Sequence, residues 1–172
     1  MTAGTEISIR SARTYDVPHM VALMEPLVQR RILLGKDLVD LYAAVPEFLV
    51  AVDREDAVVG YGAVHVMWEQ LGEVRTLGVS DAVLGTGVGH RLLTALEERA
   101  RELGLQQLFC LTFEVEFFTK HGFAAVGEDD ELVAAEVYAE LLRSSDEGVA
   151  EFLDLARVKP NTLGNTRMLK RL

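Results

Sequence analysis

The feature that most constrains this chain is a change of hydrophobic period near its middle. Three strand-like runs follow one another: Phe48 to Val52, Ala57 to Met67 and Gly72 to Val79. Asp53-Arg54-Glu55-Asp56 supplies the turn between the first two. Runs joined this closely predict antiparallel neighbours. The pattern then switches to a helix over Gly89 to Leu103, with Leu92, Leu93, Leu96, Ala100 and Leu103 in one stripe. Glu97 and Arg101 form an i,i+4 pair assigned to its surface, and Gly104 ends it. At the junction lies Gly85-Thr86-Gly87-Val88-Gly89.

Other segments complete an α/β domain with a mixed sheet. Ile7 to Ile9 reads as an opening strand. Tyr15 to Arg30 carries Val17, Met20, Val21, Met24 and Leu27/Val28 at helical spacing, with Asp16 as cap and Pro18 in the first turn. Leu38 to Tyr42 is a short helix, Gln107 to Leu111 a strand, Val115 to His121 a short helix and Phe123 to Val126 a strand. Leu132 to Arg143 reads as helix and Thr166 to Leu172 as the last strand. One domain over 1–172 accommodates them all.

Composition narrows the functional classes. Net charge is −10, which disfavours a general phosphate-binding surface for nucleic acid. Lys159, Arg167, Lys170 and Arg171 nevertheless gather in the last 14 positions. No apolar run has membrane-spanning length, and Met1 to Arg10 lacks the order of a signal peptide, so the chain reads as cytoplasmic. Cys110 reads as a core thiol, Met20, Met24, Phe113 and Phe117 as core, Trp68 as packing and His65 as a partly buried histidine.

Glycines before a helix let backbone N–H groups approach an anion, and the helix N-terminus adds partial positive charge. A P-loop requires Gly-Lys-Ser/Thr, whereas Gly89 is followed by His90-Arg91. A dinucleotide site places its glycines in the first βα unit of a parallel sheet, whereas four strands precede these. An acyl-CoA site remains, with pyrophosphate on the loop and pantetheine beside the preceding strand.

These residues resemble the GNAT acetyltransferase superfamily. Gly72 to Val79 is similar to its fourth strand, and Leu84 to Gly89 to its Arg/Gln-x-x-Gly-x-Gly/Ala loop, with Leu84 replacing Arg/Gln. Phe117-Phe118-Thr119-Lys120-His121-Gly122-Phe123 is similar to the family's Phe-Tyr-x-x-x-Gly-Phe segment. The implied co-substrate is acetyl-CoA, held at Leu77, Gly78, Val79, Gly85, Thr86, Gly87, Val88, Gly89 and His90, with no metal. Glu73 stands where many family members carry a catalytic glutamate, and Leu77 to Val79 where a backbone N–H stabilises the thioester oxygen. Phe118 replaces the usual acidic tyrosine, leaving water, His121 or another residue to protonate the thiolate.

Pro26-Leu27-Val28-Gln29, Ile32-Leu33-Leu34, Gly72-Glu73-Val74, Leu108 to Thr112 and the tail Val158 to Leu169 further resemble bacterial N-acetylglutamate synthases, in their short form without a kinase-like domain. That resemblance implies acetyl transfer to the α-amino group of L-glutamate, the first step of arginine biosynthesis, and a possible homodimer. It also points to Lys36, Thr112 and Arg167 as substrate residues, and Arg75 joins them because it alternates onto the strand face of Glu73 by period two. Arginine suits a carboxylate because its planar fork binds both oxygens. Glutamine, another amino acid or an amine as acceptor, and an acyl-CoA-binding domain without turnover, remain as alternatives.

Overall fold

The structure, a computed structural model, describes residues 6–30 and 36–172. Ile32-Leu33-Leu34 lies outside them. The chain divides into two units, Met1–His65 with Val74–Glu102, and Val66–Glu73 with Leu103–Leu172.

In the first unit, β1 (Ser8–Ser11) pairs antiparallel with β2 (Phe48–Val52), and β2 pairs antiparallel with β3 (Val58–Trp68). Strand β2 is apolar throughout because both its faces are covered. On one face Val50, with Tyr61 opposite it on β3, packs against Val17, Met20 and Met24 of α1 (Val17–Gln29) and Leu41 of α2 (Leu38–Ala43). On the other, Ala51 meets Val88 and Leu92 of α3 (Val88–Glu102). Glycine permits that close approach. A Cβ on Gly60 would lie 2.8 Å from Leu92 Cδ1, and one on Gly62 2.8 Å from Leu96 Cδ1.

Strand β4 (Leu71–Val79) follows β3 after the turn Glu69-Gln70. Its first residues, in the second unit, run parallel to β5 (Gln107–Thr112), with Glu73 opposite Phe109. Strand β5 pairs antiparallel with β7 (Thr166–Arg171), and β7 with the short β6 (Ala124–Ala125). The strand order is β1-β2-β3-β4-β5-β7-β6, a mixed sheet of mostly antiparallel neighbours. The second unit also holds α4 (Val115–Lys120), α5 (Ala135–Leu141), α6 (Glu147–Phe152) and α7 (Lys159–Thr162). Its core joins Met67, Leu71, Phe109, Leu141, Val149 and Phe152, with the Phe109 and Phe152 rings edge to face at 5.2 Å.

The structure corrects several expectations. Asp16 does not cap α1 with its side chain. Its carboxylate is 1% exposed and accepts from both Arg10 Nη atoms at 2.7 and 3.0 Å and from the Arg13 N–H at 2.7 Å. Leu103 is exposed, since α3 ends at Glu102 and Leu103 lies in the turn after it, and Glu97 is buried rather than on the surface. Phe113 is exposed in the loop after β5, Trp68 is partly packed at 38% exposure, and Phe117 is only half-buried. The helix expected over Leu132 to Arg143 spans only Ala135–Leu141, because Leu132 and Val133 enter the core from irregular chain. The strand expected over Phe123 to Val126 shrinks to two residues. Helices α6 and α7 lie where sequence periodicity indicates no element. Met20, Met24 and Cys110 are core, and His65 Nδ1 lies 2.8 Å from Glu47 Oε1, half-buried.

Candidate functional site

Gly85 and Gly87 adopt φ of 77° and 87°, the left-handed region that costs other residues side-chain clashes. A Cβ on either would meet nothing within 4 Å among the described residues, so the backbone there lies open to a ligand. Thr86 shapes the loop rather than offering donors, as its N–H and hydroxyl both reach the Val83 carbonyl, at 3.2 and 2.5 Å. The Val88 side chain is buried, anchoring the start of α3. Arg91 N–H donates to Gly87 O at 3.0 Å, placing Val88, Gly89 and His90 in the first, electropositive turn. Two open glycines ahead of a 15-residue helix fit a pyrophosphate. Leu84, 68% exposed, replaces a polar residue of the family pattern but leaves this backbone cradle intact. His90 is exposed, and the neighbouring Arg91 guanidinium is held at 2.9 Å by Ile7 O.

Strand β4 carries a feature that sequence reasoning missed. Thr76 has φ 54°, an uncommon conformation for a β-branched residue. Glu73 and Arg75 share a face by period two, but that alternation cannot be carried through Thr76 to Leu77, Gly78 and Val79. No sequence signal marks the position, since threonine is otherwise a strand former. The strand also changes in exposure: Leu71 to Val74 are buried and Arg75 to Val79 half-exposed.

In the second unit, Glu73 is buried at 4% exposure, not the solvated strand end that its position allowed. Residues directly paired share a sheet face. Glu73 pairs with Phe109, Phe109 with Leu169 and Leu111 with Arg167. Glu73 and Arg167 therefore occupy one face, two strands and about two residues apart, roughly 12 Å between Cα atoms. The Arg167 guanidinium is oriented by α6, donating from Nε to Glu151 O at 3.2 Å and from Nη2 to Phe152 O. Periodicity along the chain does not disclose this hold, because it depends on where α6 packs. Thr112 alternates onto the opposite face, buried, with its Oγ1 accepting from the Glu114 N–H at 2.8 Å. Cys110 also lies on that opposite face. Burial and the charge of Glu73 push its thiol well above the usual range.

A cavity of about 490 Å³ opens beside Arg167. Tyr138 and Phe152 line it, together with Glu128, Asp130, Glu131 and Asp154. Lys36 and Arg75 belong to the first unit, Lys36 being exposed just ahead of α2. Phe118, where the family has tyrosine, is buried against Phe117 and Phe123, with ring centroids 5.2 and 5.1 Å away.

A mixed sheet whose fourth strand leads through a glycine loop into an amphipathic helix defines an acyl-CoA N-acyltransferase fold. Residues 20–123 match the model of the acetyltransferase (GNAT) family, and the chain belongs to that family. It is 52% identical over 163 residues to an amino-acid acetyltransferase of Mycobacterium tuberculosis, covering 94% of this chain and 92% of the relative. A Neisseria meningitidis amino-acid acetyltransferase is 33% identical over 126 residues, which are 72% of this chain but 29% of that longer protein. Among solved structures, a Mycobacterium tuberculosis protein in complex with CoA and a second ligand superposes with TM-score 0.90 at 51% identity, over 96% of this chain and 99% of that one. N-acetylglutamate synthase of Neisseria gonorrhoeae, complexed with coenzyme A and N-acetyl-glutamate, superposes with TM-score 0.76 at 26% identity, over 97% of this chain and 35% of the synthase. Among the described residues, no helix is long and apolar enough to cross a membrane.

Proposed function

We propose that this chain is an amino-acid N-acetyltransferase that transfers the acetyl group of acetyl-CoA to the α-amino group of L-glutamate. The observation that carries the reading is Glu73 and Arg167 on one sheet face, a buried carboxylate two strands from a guanidinium that α6 orients. The names of the relatives point the same way.

The acceptor amine arrives as an ammonium and is not a nucleophile until it loses a proton. Glu73 takes that proton, directly or through water. Acetyl-CoA supplies the activated acyl group, and the open backbone of Gly85 and Gly87 with the first turn of α3 holds its pyrophosphate. Backbone donors of Leu77 to Val79 stabilise negative charge on the carbonyl oxygen. Phe118 has no proton to give, so the CoA thiolate released when the C–S bond breaks takes its proton from water or from another residue. In the second unit, Arg167 receives an acceptor carboxylate.

Glutamine is the second reading. Four acidic residues and a single basic one line the cavity beside Arg167, which disfavours another anion, whereas a side-chain amide carries no charge.

CoA release measured with a panel of amino acids tests both readings. Glutamate or glutamine is expected to be turned over above all others. Release with neither would overturn the assignment. Glu73→Gln is expected to lower kcat/KM by about 10²–10⁴ and to abolish the rise of rate with pH. An unchanged rate and profile would remove Glu73 from its role.

A further inference from the structure

We infer that Tyr61 is a positioning residue for the reaction: its phenol end braces β4 at Gly78 and fixes the backbone of Leu77 to Val79. The inference rests on the reading that this stretch serves the acyl thioester.

Tyr61 is fully buried at the centre of β3. It belongs to the same core cluster as Val17, Met20 and Met24 of α1 and Leu41 and Val45, and its backbone is paired with Val50. At its far end, a Cβ built on Gly78 would lie 2.4 Å from Oη, 2.7 Å from Cζ and 3.1 Å from Cε2. Contacts this short are not tolerated, so the ring end rests on the bare Cα of residue 78. The opposite face is also filled, since Leu77 and Val79 pack with Leu92 and Val88 of α3. The segment is thus clamped between a rigid ring and a helix while its backbone stays half-exposed. Thr76, immediately before it, holds a left-handed conformation that persists only where its surroundings over-determine it. The Tyr61 brace is one of those constraints.

The brace is steric. Among the described residues Tyr61 Oη is buried without a hydrogen-bond partner, and burial pushes the phenol well above its ordinary range, so it stays protonated and uncharged. A lone buried hydroxyl costs stability rather than adding to it. Its absence in phenylalanine leaves Cζ in contact with residue 78.

The test combines steady-state CoA release at varied acetyl-CoA with thermal melts of Tyr61→Phe, Tyr61→Leu, Gly78→Ala and the double variant Tyr61→Leu/Gly78→Ala. Tyr61→Phe is expected to keep kcat and the acetyl-CoA KM within about twofold, with a Tm equal or higher. Tyr61→Leu and Gly78→Ala are each expected to lower kcat/KM by about tenfold or more, since misplacement by an ångström can cost that much. The added methyl in the double variant refills the space left by leucine and recovers most of the loss. The inference fails if Gly78→Ala moves only Tm, or if the double variant is no better than Tyr61→Leu. If Tyr61→Leu does not fold, Tyr61→Phe against Gly78→Ala still decides, because equal activity of both with wild type refutes the brace. A wild-type chain that acetylates no amine overturns the functional reading instead. Activity without coupling between positions 61 and 78 overturns only the brace.

Discussion

Replacing Gly87 by alanine separates the binding role of the glycine loop from its conformational role. Gly87 sits at φ 87° with nothing within 4 Å of where a Cβ would stand, so alanine adds backbone strain and no collision. That strain is about 1–2 kcal/mol for an L-residue in the left-handed region. For a chain of this size it lowers Tm by about 2–8 °C. Gly104 supplies a matched control, with φ 88° and the same empty surroundings, at the far end of α3. Both alanine variants are expected to melt at similar temperatures, by differential scanning fluorimetry. Acetyl-CoA separates them. A methyl over the cradle blocks one hydrogen bond to a charged group, worth about 1.5–3 kcal/mol, so KM rises about 10- to 100-fold in Gly87→Ala. Gly104→Ala is expected to keep the wild-type KM. Equal KM values in the two variants would refute the cradle, and a far larger melting loss in one of them would refute the strain argument.

Other expectations follow from single contacts. Arg10→Met strands the buried Asp16 carboxylate with only its Arg13 N–H bond, costing about 3–5 kcal/mol in chemical denaturation, and Arg10→Met/Asp16→Leu recovers part of it. Burial tends to raise the Asp16 pKa, but its bonds to Arg10 and Arg13 win and hold it below the ordinary 3.8. Its stabilisation is therefore complete above the unfolded value and is lost as pH falls through the lower folded one, a dependence that Asp16→Asn removes from acid titrations. Cys110 should resist iodoacetamide at pH 8 in the native protein and react only on unfolding, since burial and Glu73 disfavour its thiolate. Arg167→Lys keeps the charge but cannot reproduce the two-carbonyl hold of the fork, so acceptor KM should rise by about tenfold while acetyl-CoA KM stays unchanged.

The sequence alone determined what depends on neighbours along the chain. The doubly covered strand Phe48–Val52, the stripe of α3 and the glycine loop were legible because period, apolar content and glycine placement are local signals. They carried the family resemblance with them. Helix α6 has a faint local signal, Asp146 accepting from the Val149 N–H at 3.0 Å, but only six residues follow it, too few for a period to show. Other features were not written locally at all. Register between distant strands put Glu73 and Arg167 on one face and Thr112 on the other. The twist at Thr76, the burial of Glu73 and the meeting of Tyr61 with Gly78 each arise where one strand is packed by another element. Sequence periodicity reports which residues leave water, but long-range pairing decides which of them meet. The glycine loop was therefore visible in the chain, whereas the face shared by Glu73 and Arg167 existed only once β4, β5 and β7 had paired.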